Sequence, residues 1–432
     1  MSTGDGPRLP GAPESERTDR VVCHVDMDCF YAACERLRET ELEGEPVVVG
    51  MGYEAGESHG AVATASYEAR EFGVESAMPI SEALDLLPRR AEVDEGDESD
   101  DGDSDAEATG HYRPVDMEHY ESVAADVKAI LHDAAGTVRE VSIDEAYLDA
   151  TAVGWDGDGP DGAAAAETFA ADLKRRIESE VGVVASVGVA PNMSAAKVAS
   201  DHDKPDGLVV VPPDEVRAFL APLPVEALHG VGPVTARELR GMGVETAGDL
   251  AARDPTELAE RFGERGRSLH ERANGRDDRP VEPRGDPKSL SSESAFVEAT
   301  DDPERKRERV RDLAASVADR ARSRGALYKT IGVKVVTPPF DVNTRARSLP
   351  GPVDDPGLVE RVALDLLSEF ADDRVRKLGV RVSNLEFGGE QAQLGTYAGE
   401  STGESAPVSR GDRDERDGDS RRGQTTFGDF DG

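Results

Sequence analysis

Apolar and polar positions along the chain fall into stretches with strand or helix periodicity. The first, VVCHVDMDCF at 21–30, predicts a strand that carries two aspartates near its end and runs into a helix. Strand and helix patterns then alternate to about residue 211, which is typical of an α/β or α+β sheet domain. The spacing is wholly helical from Val216 to about Asn274, and strand patterns return over 288–386. The pattern predicts a sheet domain, a small helical domain and a second α/β domain.

Four stretches lack both periodicities. Residues 1–20 and 387–432 are rich in Gly, Ser and charged residues, and we expect them to be disordered, while 279–287 is a Pro-rich linker. Within an insertion at 92–110, residues 92–107 hold ten acidic residues and no basic one. Like charges at this density repel one another, so the insertion is expected to be a solvated segment without a fold of its own.

Composition complicates any role in nucleic-acid binding. The 432 residues exceed what one hydrophobic core usually supports, and the net charge is −39, although nucleic-acid binders normally show a basic footprint. Only nine of the 50 basic residues are Lys, and the acidic excess is spread through every segment, a pattern that indicates the cytoplasm of a halophile. No stretch approaches the roughly 18 apolar residues of a membrane span. We therefore expect a soluble, cytoplasmic protein with no membrane contact, whose three cysteines are buried and reduced.

Three carboxylates are the candidate chemistry. In SIDEAYLD, Asp144 and Glu145 would face opposite sides of a straight strand, so they can serve one site only if the chain turns between them. The flanking runs fit a tight hairpin, and Asp26 could join its tip if the two strands are neighbours. Carboxylate oxygens are ligands that suit a hard cation such as Mg²⁺. Each motif alone is more often a surface turn, so their meaning depends on the residues that accompany them.

Five segments resemble the Y-family DNA polymerases of the DNA polymerase IV type, in family order. They are VDMDCFYAACE, GAVATASYEAREFGV, SIDEAYLD, SVGVAPNMSAAKVASDHDKPDG and HGVGPVTARELRGMGV. The resemblance implies a right-hand polymerase with a ferredoxin-like palm and an α/β little finger. Its expected domains are the palm at 21–30 and 111–211, small fingers at 31–91, a helical thumb with a helix-hairpin-helix at 212–278, and the little finger at 288–386.

The same resemblance implies roles at the catalytic centre. Asp26 and Asp144 would bridge two Mg²⁺ ions, Glu145 would hold the catalytic ion, and the Met27 carbonyl would add an oxygen ligand. Tyr31 matches the steric gate that excludes a 2′-hydroxyl. The incoming triphosphate is assigned to Thr64, Tyr67, Arg70 and Lys204 and to the backbone amides at Phe30, whose side chain is expected to pack. Tyr67 and Arg70 share a helix face because they are three residues apart. Asp28 is expected to be the N-cap of the helix that follows it.

Contacts with DNA and a sliding clamp are also implied. Gly230 and Gly232 would let backbone amides of the helix-hairpin-helix approach a phosphate. In the little finger, 18 basic residues balance 17 acidic ones, and Arg345 and Arg347 lie where phosphates are expected. The terminal QTTFGDF resembles a clamp-binding motif, with anchors at Gln424, Phe427 and Phe430.

The sequence thus predicts a monomeric, low-fidelity, template-directed DNA polymerase for translesion synthesis and repair, with no proofreading exonuclease. It would add deoxynucleoside triphosphates to a primer on template DNA. Two alternatives stay open: another palm-type nucleotidyl transferase such as a cyclase, and a DNA- and clamp-bound scaffold without activity.

Overall fold

A computed structural model describes residues 20–90, 108–155 and 163–387. The predicted lead-in, the acidic run at 92–107 and the clamp motif lie outside the described residues. The chain divides into two compact units, residues 1–284 and 285–432. None of the described helices is long and apolar enough to cross a membrane.

A five-stranded sheet forms the centre of the first unit, in the order β5-β6-β1-β7-β8. Its strands are β1 (Val22–Met27), β5 (Val138–Glu140), β6 (Glu145–Asp149), β7 (Ala185–Ala190) and β8 (Leu208–Val210). Strand β1 pairs antiparallel with both β6 and β7, so it is the central strand. All six of its residues are buried, which agrees with the apolar run that predicted it.

Helices cover both faces of this sheet. Alternate residues of β1, including Cys23 and Val25, pack in one core with α4 (Met117–Ala134) and α5 (Ala164–Val181). The opposite face meets α6 (Met193–His202), which begins at the N-cap Asn192, whose side chain accepts from the Ala195 amide. Gly188 of β7 lets α6 approach, because a Cβ there would lie 2.2 Å from a backbone atom of the helix. This close packing brings α6 side chains over the end of β1.

A smaller sheet has the order β3-β2-β4. It comprises β2 (Val47–Met51), β3 (Ala61–Ala65) and β4 (His111–Pro114), and it is accompanied by α1 (Phe30–Arg38), α2 (Tyr67–Arg70) and α3 (Ile80–Leu86). Strand β4 pairs parallel with β2. The small sheet therefore includes residues 111–114, which the sequence had grouped with the palm.

The helical segment of the first unit follows β8. It comprises α7 (Val216–Leu220), α8 (Pro233–Gly241), α9 (Ala247–Ala251), α10 (Pro255–Phe262) and α11 (Glu264–Ala273). Its apolar side chains share one core with Val22, Tyr147 and the buried face of α6. The predicted thumb thus packs directly against the five-stranded sheet.

The second unit is an antiparallel sheet with two helices. Its elements are β9 (Ser289–Thr300), α12 (Pro303–Ser323), β10 (Ala326–Thr337), β11 (Asp341–Val353), α13 (Pro356–Leu367) and β12 (Val375–Phe387). The strand order is β11-β10-β12-β9, and buried residues of both helices form its core with one sheet face. This architecture confirms the α/β fold expected of the little finger.

Candidate active site

Two of the three predicted acids are neighbours at the ends of paired strands. Asp26 of β1 and Glu145 of β6 are register partners, and the Met27 amide donates to the Asp144 carbonyl over 3.0 Å. Strands β5 and β6 form the predicted hairpin. In its turn the Ser142 hydroxyl accepts from the Glu145 amide at 3.0 Å and donates to the Asp144 carboxylate at 2.6 Å. The hairpin therefore brings Asp144 and Glu145 to the end of the strand that carries Asp26.

Two lysine ammonium groups lie directly on these carboxylates. The Lys197 Nζ is 2.7 Å from Asp26 Oδ2 and 2.6 Å from Glu145 Oε1. The Lys204 Nζ is 2.6 Å from the other oxygen of Asp26. Both lysines also lie 3.1 Å from Asp201 Oδ1. Since the Asp26 side chain is only 8% exposed, these contacts occur with little competition from water.

The acids and lysines shift one another's pKa values. Burial alone would raise the pKa of Asp26, but a hydrogen bond with Glu145 and the two ammonium groups lower it well below its usual range. Burial, and then the hydrogen bond with Asp26, raises the pKa of Glu145. Burial opposes the charge of Lys197, yet Asp26, Glu145 and Asp201 together raise its pKa. The site thus stabilises cations placed between Asp26 and Glu145.

This donor set fits a hard divalent cation. The three carboxylates supply oxygen ligands, and positive groups already contact three oxygens of Asp26 and Glu145. The Asp144 carboxylate instead accepts from Ser142. Across 20–90, 108–155 and 163–387, no three His, Cys, Asp or Glu side chains converge closely enough to hold a metal ion. A metal site that includes Asp144 and the Met27 carbonyl therefore stays a prediction.

Tyr31 and Phe30 begin α1 beside the acids. The Tyr31 ring is half-buried and stacks on Tyr120, with ring centroids 4.5 Å apart and planes 18° from parallel. Burial, and then the negative charge of Asp144, raises the pKa of the Tyr31 hydroxyl. A rigid ring near the acids is what a steric gate requires. The Phe30 side chain is buried in the core, so only its backbone could reach a nucleotide.

The predicted phosphate ligands Tyr67 and Arg70 contact each other. The Arg70 guanidinium lies 4.7 Å from the centroid of the Tyr67 ring, and its Nε donates to the Ala65 carbonyl at 3.0 Å. Thr64 precedes them on β3 and is partly buried. The shared helix face predicted for Tyr67 and Arg70 is confirmed, and their contact with a triphosphate stays a prediction.

The prediction for Asp28 is wrong. The N-cap residue of α1 is Cys29, which caps with no side-chain hydrogen bond and has the left-handed dihedrals φ 47° and ψ 44°. The Asp28 carboxylate turns away from the helix and accepts from the Tyr67 hydroxyl, the Ser186 hydroxyl and the Asp206 amide. Three donors from other elements offer a buried carboxylate more hydrogen bonds than a helix end would.

The predicted DNA contacts lie in both units. In the first, Gly230 has φ 94°, which favours glycine, and Gly232 is the N-cap of α8 with open space where a Cβ would lie. In the second, Arg345 Nε contacts Glu369 at 2.7 Å and Arg347 contacts Asp365. Both arginines thus extend over the helix-covered face of their sheet and pair with acids. Their binding to phosphate stays a prediction, as does that of the two glycines.

Lys197 was not predicted as a site residue. It lies on α6, seven positions before Lys204, in a chain with only nine lysines. The rarity of Lys in this chain is the signal that could have identified Lys197.

Three family models match the chain. They are the impB/mucB/samB family over residues 25–201, the IMS family HHH motif over 213–244, and the impB/mucB/samB family C-terminal domain over 287–395. DNA polymerase IV of Halobacterium salinarum is 60% identical over 92% of this chain and 93% of its own length. DNA polymerase IV of Methanoculleus marisnigri is 42% identical over 85% of this chain and 95% of its own length.

Solved structures agree with these relatives. A Y-family DNA polymerase chimera of Dbh and Dpo4 has a TM-score of 0.73 at 27% identity, over 85% of this chain and all of its own. An insertion ternary complex of Dbh DNA polymerase has a TM-score of 0.57 at 26% identity over the same shares. Fold, site and relatives together define a DNA-directed DNA polymerase. The chain belongs to the impB/mucB/samB family, the Y family of these polymerases.

Proposed function

We propose that this polymerase copies damaged as well as undamaged templates, by two-metal nucleotidyl transfer and without a proofreading exonuclease. The observation that carries the proposal is the pair Asp26 and Glu145, adjacent on β1 and β6 with cations at three of their oxygens. Two Mg²⁺ ions held there with Asp144 would activate the primer 3′-hydroxyl and stabilise the departing pyrophosphate.

The protein groups around the acids position the nucleotide. Lys204 would contact the triphosphate of the incoming nucleotide from its position beside Asp26. Arg70 would add a second positive charge from its position over the Tyr67 ring. Tyr31, held by its stack on Tyr120, would close the space that a 2′-hydroxyl needs. Ala61 and Ala63 lie on β3 of the small sheet. If this strand meets the nascent base pair, as the resemblance to Y-family polymerases implies, their small side chains would leave room for a damaged template base.

The chain's other partners belong to the same proposal. Gly230 and Gly232 would hold the duplex through its phosphates, with Arg345 and Arg347 of the little finger adding contacts. Gln424, Phe427 and Phe430 would dock into a sliding clamp, which raises the effective concentration of the enzyme at the primer. We propose that it works as a monomer in the cytoplasm, where strong salt weakens each phosphate contact and makes a tether useful.

Primer extension tests the proposal. The full chain would be assayed with Mg²⁺ in molar KCl on damaged and undamaged templates, with and without the clamp. We expect extension on both templates, loss of extension in Asp144→Ala, and no removal of a mismatched 3′ end. Undiminished extension by Asp144→Ala would overturn the metal assignment. Failure of the unaltered chain to extend a damaged template would overturn translesion synthesis.

A further inference from the structure

Asp28 lies one residue beyond the metal-ligand segment, and its carboxylate is fully engaged by hydrogen-bond donors. The residue is 6% exposed. Its Oδ1 accepts from the Tyr67 hydroxyl at 3.1 Å, its Oδ2 accepts from the Asp206 amide at 2.8 Å, and the Ser186 hydroxyl lies 2.9 Å from both oxygens. A buried carboxylate with only donors around it is anchored in one orientation.

The donors come from three separate elements. Tyr67 begins α2 beside the small sheet, Ser186 lies on β7, and Asp206 follows Lys204 by two residues in the turn before β8. Ser186 also accepts from the Gly207 amide at 3.1 Å, so it ties the same turn to the sheet. One carboxylate thus connects α2, the five-stranded sheet and the turn that carries Lys204.

Two positive groups depend on these connections. The Tyr67 ring supports the Arg70 guanidinium at 4.7 Å, and the turn at 203–207 sets the position from which Lys204 reaches Asp26. Asp28 is hydrogen-bonded to neither Arg70 nor Lys204. It holds the Tyr67 ring under Arg70 and the Asp206 backbone next to Lys204. Asp28 is therefore a single buried side chain that hydrogen-bonds both to the Tyr67 hydroxyl and to the turn that carries Lys204.

We propose that Asp28 is a positioning residue for the incoming nucleotide, setting the relative placement of Tyr67, Arg70 and Lys204 without contacting the nucleotide. This inference rests on the proposed assignment of these residues to the triphosphate. In this arrangement the Tyr67 hydroxyl gives its only proton to Asp28, so Asp28 orients the Tyr67 ring and the Arg70 guanidinium beside it.

Asp28→Asn distinguishes the connection to Tyr67 from the connection to the turn at Asp206. The Asp206 N–H is a fixed backbone donor, so the remaining carbonyl oxygen of Asn should turn toward it. The new NH₂ group then faces the Tyr67 hydroxyl and donates to it, so the bond to a carboxylate is replaced by a neutral bond of opposite direction. Tyr67→Phe removes the hydrogen bond altogether. If Asp28 acts through Tyr67, the two substitutions should not add.

Nucleotide affinity is the decisive measurement. The complex of the full chain with a dideoxy-terminated primer and template would be titrated with the correct deoxynucleoside triphosphate, so that binding is measured without turnover. Insertion rates would be measured separately on an extendable primer. We expect Asp28→Asn and Tyr67→Phe each to raise the Kd roughly tenfold, as loss of a hydrogen bond to a charged group implies. The double variant should be no weaker than the weaker single variant, and the maximal insertion rate should fall less than the affinity.

Tyr112→Phe is the matched control. The Tyr112 hydroxyl is also buried near the small sheet, but it donates to the Leu87 carbonyl at 2.7 Å, not to Asp28. Loss of the Tyr112 hydroxyl should leave the Kd for the nucleotide unchanged. The losses of thermal stability in Tyr112→Phe and Asp28→Asn should add in the double variant. If Asp28→Asn does not fold, Tyr67→Phe still tests the same hydrogen bond.

Three results would overturn the inference. They are an unchanged Kd in Tyr67→Phe, additive losses of affinity in the double variant, and a loss confined to the insertion rate. Failure of the proposed function is distinct, since the unaltered chain would then fail to extend a damaged template, or Asp144→Ala would still extend primers. A chain that extends primers but shows additive variants would retain its proposed function and lose only the role of Asp28.

Discussion

Lys197→Met removes the cation that lies between Asp26 and Glu145. The ammonium group contacts both acids within 2.7 Å, and a Met side chain fills similar space without charge. Lys204 would still contact one oxygen of Asp26, but Glu145 would lose the cation that contacts it. The variant therefore leaves the carboxylates of Asp26 and Glu145 with one neighbouring ammonium group in place of two.

The size of the effect follows from the burial of the pair. Removing one partner of a buried ion pair costs about 3–5 kcal/mol because the other charge stays desolvated. Glu145 is about a quarter exposed and Lys204 remains, so we expect a loss of about 3 kcal/mol in unfolding free energy. Mg²⁺ should reverse much of this loss, since each tenfold excess of ligand over its Kd adds about 1.4 kcal/mol to the folded state.

Denaturant unfolding in molar KCl measures the loss of unfolding free energy when EDTA is present and its recovery when Mg²⁺ is present. Lys128→Met is the control, because Lys128 pairs with Glu140 at 2.9 Å at a more exposed position. That substitution should cost less than about 1 kcal/mol and respond to Mg²⁺ as the unaltered chain does. Equal losses in the two variants, or a Lys197→Met variant that gains no more from Mg²⁺ than the control, would refute the view that Lys197 occupies a cation position.

Three further predictions concern pH, packing and sugar selection. Burial and neighbouring cations lower the pKa of His229 from 6.5 to about 4, so the unfolded chain binds the extra proton in this window. Unfolding free energy should fall by up to about 3 kcal/mol from this residue as pH drops from 6.5 to 4, and His229→Gln should flatten the urea-unfolding profile. Gly188→Ala should lose about 1–3 kcal/mol in urea unfolding because its Cβ would meet the α6 backbone, whereas Gly136→Ala, with open space, should change little. Tyr31→Ala should lower the ratio of kcat/KM for deoxy- over ribonucleotides by at least roughly tenfold in single-nucleotide insertion.

Each of these three has an outcome that would contradict it. A pH profile unchanged by His229→Gln would mean that other groups govern acid sensitivity. Equal stability of the two glycine variants would contradict the close approach of β7 and α6. Unchanged sugar discrimination in Tyr31→Ala would place the steric gate elsewhere.

Elements with a local signature could be predicted from the sequence. The apolar run of β1 and the apolar flanks of the β5–β6 hairpin fixed where Asp26 and Glu145 lie on their strands, because strand periodicity and turn position are local properties. The helical segment after Val216 was equally visible from its spacing. These local elements place Asp26 and Glu145 each at the end of a strand, but the pairing of β1 with β6 that brings the two acids together depends on a contact between distant residues.

Contacts between distant elements were not predictable in this way. Asp28 bonds Ser186 and Asp206 across 158 and 178 residues, and Lys197 reaches Asp26 across 171. Asp next to a helix start is ordinarily an N-cap, and only the tertiary approach of β7 and the turn beyond it offers Asp28 better partners. The parallel pairing of β4 with β2 was missed for the same reason.

The charge of the chain bears on how a polyanionic nucleotide reaches this site. At about 1 M salt the Debye length is about 3 Å, so acids elsewhere on the surface exert little force on a triphosphate. Only charges in direct contact then matter, and Lys197 and Lys204 are already held within 2.7 Å of buried Asp26. Because screening weakens long-range forces of either sign, nucleotide affinity in strong salt depends on how accurately the contacting cations are placed. The proposed anchoring role of Asp28 would therefore weigh more at this salt concentration than the sum of the protein's surface charges.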